Sequence, residues 1–176
     1  MVRQGAKKAA EFYTSVFKNA RIKSTTTLHD MPSGTVEVVT FELFGQEFMA
    51  ISAGPLFKFN ESILFVVKCD TQEEIDFYWQ RLTSEGGQEV ECGWLKDTYG
   101  LSWQIVPTVM DEMMQSKDPA KLARLTQTFL KMKKFDIATL QKAYDENNSI
   151  SKSKLILSAS PCHIIYTVCG SPSRHF

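Results

Sequence analysis

Residues 92–107 read Cys-Gly-Trp-Leu-Lys-Asp-Thr-Tyr-Gly-Leu-Ser-Trp-Gln-Ile-Val-Pro, and this stretch decides the fold. Two strand-like segments, residues 89–95 and residues 101–106, lie on either side of Asp-Thr-Tyr-Gly. An Asp that begins such a segment and a Gly that ends it are typical of a tight turn. The stretch therefore predicts a β-hairpin.

Side chains alternate along the second strand of this hairpin, so its residues divide between two faces. One face is apolar and holds Leu101, Trp103 and Ile105. The other holds Ser102, Gln104 and Val106, with one amide at its middle. The tryptophans, the carboxylate and the amide of this hairpin fit the wall of a pocket and fit a well-packed sheet equally well.

The composition is that of a globular protein, because 43% of the 176 residues are hydrophobic. This length suffices for one domain or for two small repeated halves that share a core. Twenty basic residues cancel twenty acidic ones, which gives no electrostatic reason to expect nucleic acid or a membrane surface as partner. We expect a small molecule or a protein instead.

The chain shows neither a long apolar run nor a signal peptide, and its four cysteines lack the paired spacing of a zinc or redox site. A membrane-spanning helix needs about 20 apolar residues. We therefore expect a cytoplasmic protein with reduced thiols.

An internal repeat is visible in the first two thirds of the chain. Residues 5–18 have the spacing of an amphipathic helix, and Thr71 with Glu74 forms a capping box at the start of a second one. Three strand-like segments follow each helix. The apolar segment 61–69 precedes the second helix and is predicted to be covered on both faces, whereas only residues 1–4 precede the first helix, too few for a strand.

The last third is predicted to be helical and then irregular. Asp118 and Pro119 are typical of a helix start, and Asp136 is expected to cap a second helix. Residues 147–176 begin with a Ser/Asn/Lys linker and contain one apolar run, residues 164–168. They show neither helix caps nor a periodic helical face.

Seven motifs carry a resemblance to a known family. They are Ala-Ala-Glu-Phe-Tyr (9–13), Gly-Gln-Glu-Phe-Met (45–49), Gly-Pro-Leu-Phe-Lys-Phe-Asn (54–60), Tyr-Trp (78–79), Cys-Gly-Trp-Leu-Lys-Asp (92–97), Gly-Leu-Ser-Trp-Gln-Ile-Val-Pro (100–107) and Leu-Lys-Met-Lys-Lys-Phe-Asp-Ile (130–137). The chain resembles the vicinal-oxygen-chelate superfamily of glyoxalase, bleomycin-resistance and extradiol-dioxygenase relatives. It is most similar to the PhnB-like branch, many of whose members are named 3-demethylubiquinone-9 3-methyltransferase-like.

The resemblance implies an α+β fold of paired βαβββ modules that form a cupped mixed sheet. The first strand is expected to be missing or truncated, and two C-terminal helices follow. The implied domain is residues 1–146, with modules at about 5–55 and 61–108 and helices at 109–145, and residues 147–176 are expected to form a poorly ordered, atypical tail. Relatives often complete their cups by pairing, so a homodimer is expected.

Metal-dependent relatives commonly bind their ion with His early and Glu late in the second module, and by resemblance these positions fall near Ser62 and on Gln104. Serine is a poor ligand and an amide is weaker than a carboxylate for a hard cation. The third position falls on the absent first strand, and His29 is the only His before residue 147. We therefore expect no metal and no cofactor.

The favoured function is small-molecule binding. Apolar walls with a few placed polar groups are typical of ligand pockets, and the candidate residues are Phe57, Phe59, Asn60, Trp94, Trp103 and Gln104. The alternative is that these aromatic residues belong to the core. Methyl transfer is not supported by the residues, because S-adenosylmethionine usually needs a glycine-rich turn in a doubly wound sheet, and none occurs here.

Two other functions stay open. A metal-dependent lyase, isomerase or dioxygenase would stabilise an oxyanion on a cation and move a proton with Asp97 or Glu61. The second of these functions is that of a non-catalytic dimerisation module. Cys92 lacks a nearby His that would activate it as a nucleophile, and a zinc cluster of Cys162, His163, Cys169 and His175 matches no common spacing.

Overall fold

The structure is a computed structural model that describes residues 5–54 and 58–146. Its elements, in chain order, are α1 (Ala6–Val16), β1 (Arg21–Met31), β2 (Gly34–Leu43), β3 (Gln46–Ile51), β4 (Leu64–Cys69), α2 (Gln72–Thr83), a 3-10 turn (Ser84–Gly86), β5 (Gln88–Glu89), β6 (Trp94–Lys96), β7 (Ser102–Pro107), α3 (Val109–Met114), α4 (Pro119–Phe129) and α5 (Ile137–Asp145). None of the helices in these two ranges is long and apolar enough to cross a membrane.

The strands form two sheets, ordered β1-β2-β3 and β4-β7-β6-β5. All neighbours are antiparallel except β4 and β7, which are parallel. The second unit is therefore β-α-β-β-β, and the first is α-β-β-β over the described residues. The α+β class and the predicted repeat of a helix followed by three strands are confirmed. The expected loss of a first strand, like the predicted tail, falls on residues outside the described ranges.

The predicted hairpin contains an extra turn. Residues 89–95 were expected to form one strand, but β5 and β6 are separate, because Cys92 and Gly93 have φ angles of 61° and 77° and reverse the chain. A Cβ atom at Gly93 would lie 2.6 Å from the Phe135 ring and 2.7 Å from the Ile105 carbonyl oxygen. The prediction of a continuous strand is therefore wrong, since this turn needs a glycine where the Phe135 ring, in the segment before α5, approaches.

The core consists of two clusters on opposite faces of the second sheet. Trp103 and Ile105 belong to the cluster that includes α1, α2 and the first sheet. Trp94 belongs to the cluster formed with α3, α4 and α5, and Val106 packs against it. The C-terminal helices thus cover part of the face that does not meet α1 and α2.

The prediction that β4 is covered on both faces is wrong. Val67 and Cys69 are 4% and 0% exposed and pack in the core, whereas Val66 on the opposite face is 50% exposed. Val66 is left exposed because, among the described residues, the C-terminal helices on that face pack against Leu64 but not against Val66.

The C-terminal helices begin where the sequence predicts. The Asp118 carboxylate accepts a hydrogen bond from the Ala120 amide at 2.9 Å, and the Asp136 carboxylate accepts one from the Thr139 amide at 2.7 Å. The structure adds the short helix α3 before them. Arg124 fixes α4 to α5 by donating from Nε to the Ala143 carbonyl oxygen at 3.1 Å.

The capping box of α2 gives a test of local stability. The Thr71 hydroxyl accepts a hydrogen bond from the Glu74 amide at 3.3 Å, and the Glu74 carboxylate accepts one from the Asp70 amide at 3.0 Å. We expect Thr71→Ala to lower the free energy of unfolding by about 0.5–2 kcal/mol, because the cap is lost. Urea unfolding measures this. Thr14→Ala, which removes a hydroxyl from within α1, is the control and should change little.

Candidate functional site

One face of the second sheet combines polar and apolar side chains. In the register of β4 with β7, Leu64 lies opposite Ser102 and Val66 lies opposite Gln104. Paired residues in adjacent strands point to the same side of the sheet. We call these four residues the Ser102 face. Lys96 and Trp94 border it on β6, opposite Ser102 and Gln104.

Ser102 has an unsatisfied hydroxyl. The residue is 1% exposed, and among the buried side-chain oxygen and nitrogen atoms of the described residues its Oγ is the one that lacks a hydrogen-bond partner. Burying a hydroxyl without a partner costs about 1–3 kcal/mol. A group that hydrogen-bonds Ser102 would therefore be favoured there.

The Gln104 amide has a fixed orientation. Its Nε2 donates to the Cys92 carbonyl oxygen at 3.0 Å, which holds the turn between β5 and β6 and leaves Oε1 as an acceptor. In the described parts of the chain no donor reaches that oxygen. The face therefore offers a hydroxyl and an oriented carbonyl, which are two residues apart on one rigid strand.

The two predicted tryptophans do not line one surface. Trp94 lies across from Gln104, whereas Trp103 lies across from Leu95 and points to the core side. Trp103 is 1% exposed and its ring lies 5.1 Å from that of Phe17. Among the candidate residues the sheet thus brings Trp94 and Gln104 together and places Trp103 on the opposite face.

The remaining candidates lie before β4. Phe59 is 46% exposed, and the Asn60 side-chain oxygen accepts a hydrogen bond from the Ser62 amide at 3.0 Å, which forms an Asx turn. Phe57 lies outside the described residues. No described contact joins Phe59 or Asn60 to Gln104, so their role in binding stays a prediction.

The positions implied for a metal carry weak ligands. Ser62 lies in the turn before β4, and Gln104 is the amide just described. In residues 5–54 and 58–146 no three His, Cys, Asp or Glu side chains lie close enough together to hold a metal ion. His29 lies exposed on β1.

A buried carboxylate lies on the core side of the hairpin. Asp97 is 3% exposed and accepts four hydrogen bonds. Its Oδ2 receives the Tyr13 hydroxyl and Trp103 Nε1, each at 2.8 Å, and its Oδ1 receives the amides of Tyr99 at 2.8 Å and Leu101 at 3.0 Å. The sequence identifies Asp97 as a turn residue, but Tyr13 is 84 residues away and no local pattern pairs the two.

Burial sets the ionisation of this cluster. It raises the pKa of Asp97 above its ordinary value, although the hydrogen bonds from Trp103 and Tyr13 oppose the shift. Burial also raises the pKa of Tyr13, and the neighbouring carboxylate adds to that shift. Because both oxygens of Asp97 are already engaged, the arrangement is suited to joining α1 to the hairpin rather than to moving a proton.

The other proposed reactive groups are poorly placed for catalysis. Glu61 is exposed, and its ion pair with Lys96 holds its pKa below the usual range. Cys92 is 1% exposed. The other buried thiol of the described residues belongs to Cys69, at the end of β4. Burial raises its pKa to about 12, which keeps it protonated at neutral pH.

A family model described as 3-demethylubiquinone-9 3-methyltransferase matches residues 1–106, more than half of the chain. The chain belongs to this PhnB-like family. The match includes the repeat and the hairpin through β7. It ends before α3, so the resemblance of residues 130–137 stays a prediction.

Two solved structures are similar to this PhnB-like chain. A PhnB protein from Bacillus cereus is 33% identical, with a TM-score of 0.52, and the alignment covers 58% of this chain and 91% of that one. Protein PA1353 from Pseudomonas aeruginosa is 14% identical, with a TM-score of 0.50 and coverage of 60% and 91%, and it supports the fold alone. No curated protein matches the chain.

The Asp97 cluster predicts a specific pattern of destabilisation. Tyr13→Phe removes a donor to a buried charged group and should lower the free energy of unfolding by about 1.5–3 kcal/mol. Tyr99→Phe is the matched control, because the Tyr99 hydroxyl makes no hydrogen bond in the described parts of the chain. This variant should lower the free energy of unfolding much less. Chemical unfolding of both variants measures the difference. Equal losses would contradict a special role for the Tyr13 bond.

The raised pKa of Asp97 predicts a pH dependence. Its folded pKa lies above the ordinary value of 3.8, so the folded state binds the proton more tightly than the unfolded state does. The resulting stability is complete below the unfolded pKa and is lost as pH rises through the folded pKa. Unfolding free energies measured from about pH 3.5 upward should therefore fall relative to those of Asp97→Asn. A rising difference would contradict the raised pKa.

Proposed function

We propose that this PhnB-like domain binds a small organic molecule on the Ser102 face, without a bound metal ion. The observation that carries the proposal is the buried Ser102 hydroxyl, which has no partner among the described residues. A ligand that hydrogen-bonds this hydroxyl would remove its desolvation cost. Few polar groups within apolar walls are typical of small-molecule sites.

The residues of the Ser102 face favour a neutral, partly apolar ligand. Leu64 and Val66 supply apolar surface, and Gln104 Oε1 supplies an acceptor. Lys96 is the cation nearest in register to Ser102 and is paired with Glu61, so its charge is offset. The ligand class is therefore a small alcohol, phenol or related carbonyl compound with one hydrogen-bonding edge.

Access to Ser102 depends on Lys96. The two residues are paired across β6 and β7, and the Lys96 side chain is 27% exposed. Its ion pair with the exposed Glu61 is of a kind worth about 0–1 kcal/mol. Moving Lys96 aside is therefore an inexpensive step by which a ligand reaches the hydroxyl.

Methyl transfer is not part of the proposal, although the family description names it. Enzymes that use S-adenosylmethionine commonly hold it at a glycine-rich turn of a doubly wound parallel sheet. The strands here are antiparallel except for β4 and β7. A metal-dependent reaction is likewise left out, because a hydroxyl and an amide are weak ligands for a divalent ion.

The proposal includes pairing of two copies of the chain as a homodimer. Ile63 and Met49 are 70% and 62% exposed, and large apolar side chains left in water often mark an interface. A homodimer that binds its ligand on the Ser102 face is therefore the proposed working form, and the cytoplasm stays its predicted location. Light scattering after size exclusion measures its mass.

The test is a thermal-shift screen of neutral alcohols, phenols and ketones, run beside Mg²⁺, Mn²⁺ and Zn²⁺. Hits are then titrated by calorimetry against the unaltered chain and Ser102→Ala. We expect Ser102→Ala to weaken binding about five- to tenfold, because one hydrogen bond is lost. Without ligand this variant should be as stable as the unaltered chain or more so, since it removes an unsatisfied polar group.

Two variants sharpen this test. Gln104→Leu should also weaken binding, and Ser24→Ala, an exposed serine on the first sheet, is the matched control and should not. Equal affinity of hits for Ser102→Ala and the unaltered chain would contradict the proposal. Stoichiometric binding of a divalent ion would instead favour the metal-dependent enzyme.

A further inference from the structure

Residues 130–137 pass from one core cluster to the other, between the end of α4 and the start of α5. Phe135 is 2% exposed and belongs to the cluster of the C-terminal helices, whereas Ile137 packs against the cluster that includes α1 and α2. We call residues 130–137 the crossing segment. It links the side of the second sheet that holds α2 to the side that holds the Ser102 face.

The crossing segment holds the turn between β5 and β6. Cys92 and Gly93 donate their amides to the carbonyl oxygens of Met132 and Lys133, each at 2.7 Å. Cys92 has a φ of 61°, and a residue other than glycine keeps such a left-handed conformation only where its surroundings support it. The conformation of the turn therefore depends on partners such as these two short bonds.

A single peptide unit carries this contact on to Gln104. The Cys92 carbonyl and the Gly93 amide belong to one planar trans unit, whose C=O and N–H point in opposite directions. Its N–H is bonded to Lys133, and its carbonyl oxygen accepts from Gln104 Nε2 at 3.0 Å. Rotation of this unit away from Lys133 would therefore also remove the partner of Gln104.

Gln72 holds the crossing segment from the start of α2. Its Nε2 donates to the Phe135 carbonyl oxygen at 3.1 Å, and its Oε1 accepts from the Ile137 amide at 2.9 Å. One side-chain amide thus satisfies two backbone groups of the segment. Lys134 adds an ion pair with Asp76 on α2, but exposed pairs of this kind contribute little. Gln72 is therefore the stronger link between α2 and the segment.

We propose that Gln72 is a positioning residue for the ligand of the Ser102 face. It acts through the crossing segment and the 92–93 peptide, which fix the Gln104 amide so that Oε1 faces the ligand. No hydrogen bond joins Gln72 to Gln104 in residues 5–54 and 58–146, so the effect is transmitted from one side of the sheet to the other. This role rests on the proposed function, because Gln104 must contact the ligand.

Nitrogen-15 NMR on the full chain, without ligand, tests the positioning directly. We expect Gln72→Ala to increase the motion of the Gln104 Nε2 group and to speed exchange of the Gly93 amide at least about tenfold, because the crossing segment opens more often. The Ser52 amide, which is bonded within the first sheet, should be unaffected. Gln141→Ala, which removes an exposed glutamine from α5, is the matched control and should change neither signal.

Titration with phenol, the simplest aromatic member of the proposed ligand class, tests the link to binding. We expect Gln72→Ala to weaken phenol binding about two- to fivefold, since an acceptor that is no longer oriented loses part of one hydrogen bond. In the Gln104→Leu background the same substitution should cause no further loss, because the two residues act in series. Equal losses in both backgrounds would show general loosening and would overturn the positioning role.

Loss of the proposed function and loss of the positioning role have different signatures. Phenol that does not bind the unaltered chain, or that binds Ser102→Ala equally well, would contradict the proposed function, and the ligand-free NMR comparison would still decide the role of Gln72. An unchanged Gln104 signal in Gln72→Ala would overturn the positioning role alone. Phenol binding that depends on Ser102 but not on Gln72 would do the same.

Discussion

The structure depends on burying one carboxylate among four donors. A buried carboxylate is costly unless its oxygens are hydrogen-bonded, and Asp97 meets this condition only when α1, the turn and β7 are all in place. Tyr13 comes from the first unit, and the other donors come from the second. The cluster therefore makes the packing of the two units specific, whereas apolar burial alone would tolerate many arrangements.

Aromatic rings surround this carboxylate and connect the two sheets. The Tyr13 ring lies 6.0 Å from that of Phe41 on β2 and 5.9 Å from that of Trp103 on β7. Neither unit is large enough to bury a substantial core by itself. A shared aromatic core explains why the repeat folds as one body and why its two helices share one side of both sheets.

Features fixed by near neighbours could be predicted from the sequence. The caps at Thr71, Asp118 and Asp136 join residues two or three positions apart, so the pattern alone identifies them. The bond between Tyr13 and Asp97 spans 84 residues, and no periodicity encodes it. The break between β5 and β6 has a related explanation: Cys92 and Gly93 both have positive φ angles, and the Phe135 ring occupies the space that a Cβ at position 93 would need, so the turn involves a residue 42 positions away in the sequence.

The candidate site shows the same division between local and distant information. Alternation predicts that Ser102 and Gln104 share a face, and the structure agrees. Alternation cannot show that the Gln104 amide has a partner in Cys92 while the Ser102 hydroxyl has none. It also cannot place Trp94 relative to Trp103, since that depends on the register across the turn, and a shift of one residue would reverse it.

That register is where the buried carboxylate affects the candidate site. Asp97 Oδ1 accepts from the amides of Tyr99 and Leu101, which fixes the turn and with it the pairing of Leu95 with Trp103. Once this pair faces the core, Ser102 and Gln104 must face the other way. The core side of the hairpin thus positions the polar groups on its opposite side. Binding groups held on a strand in this way are more precisely placed than groups on a loop.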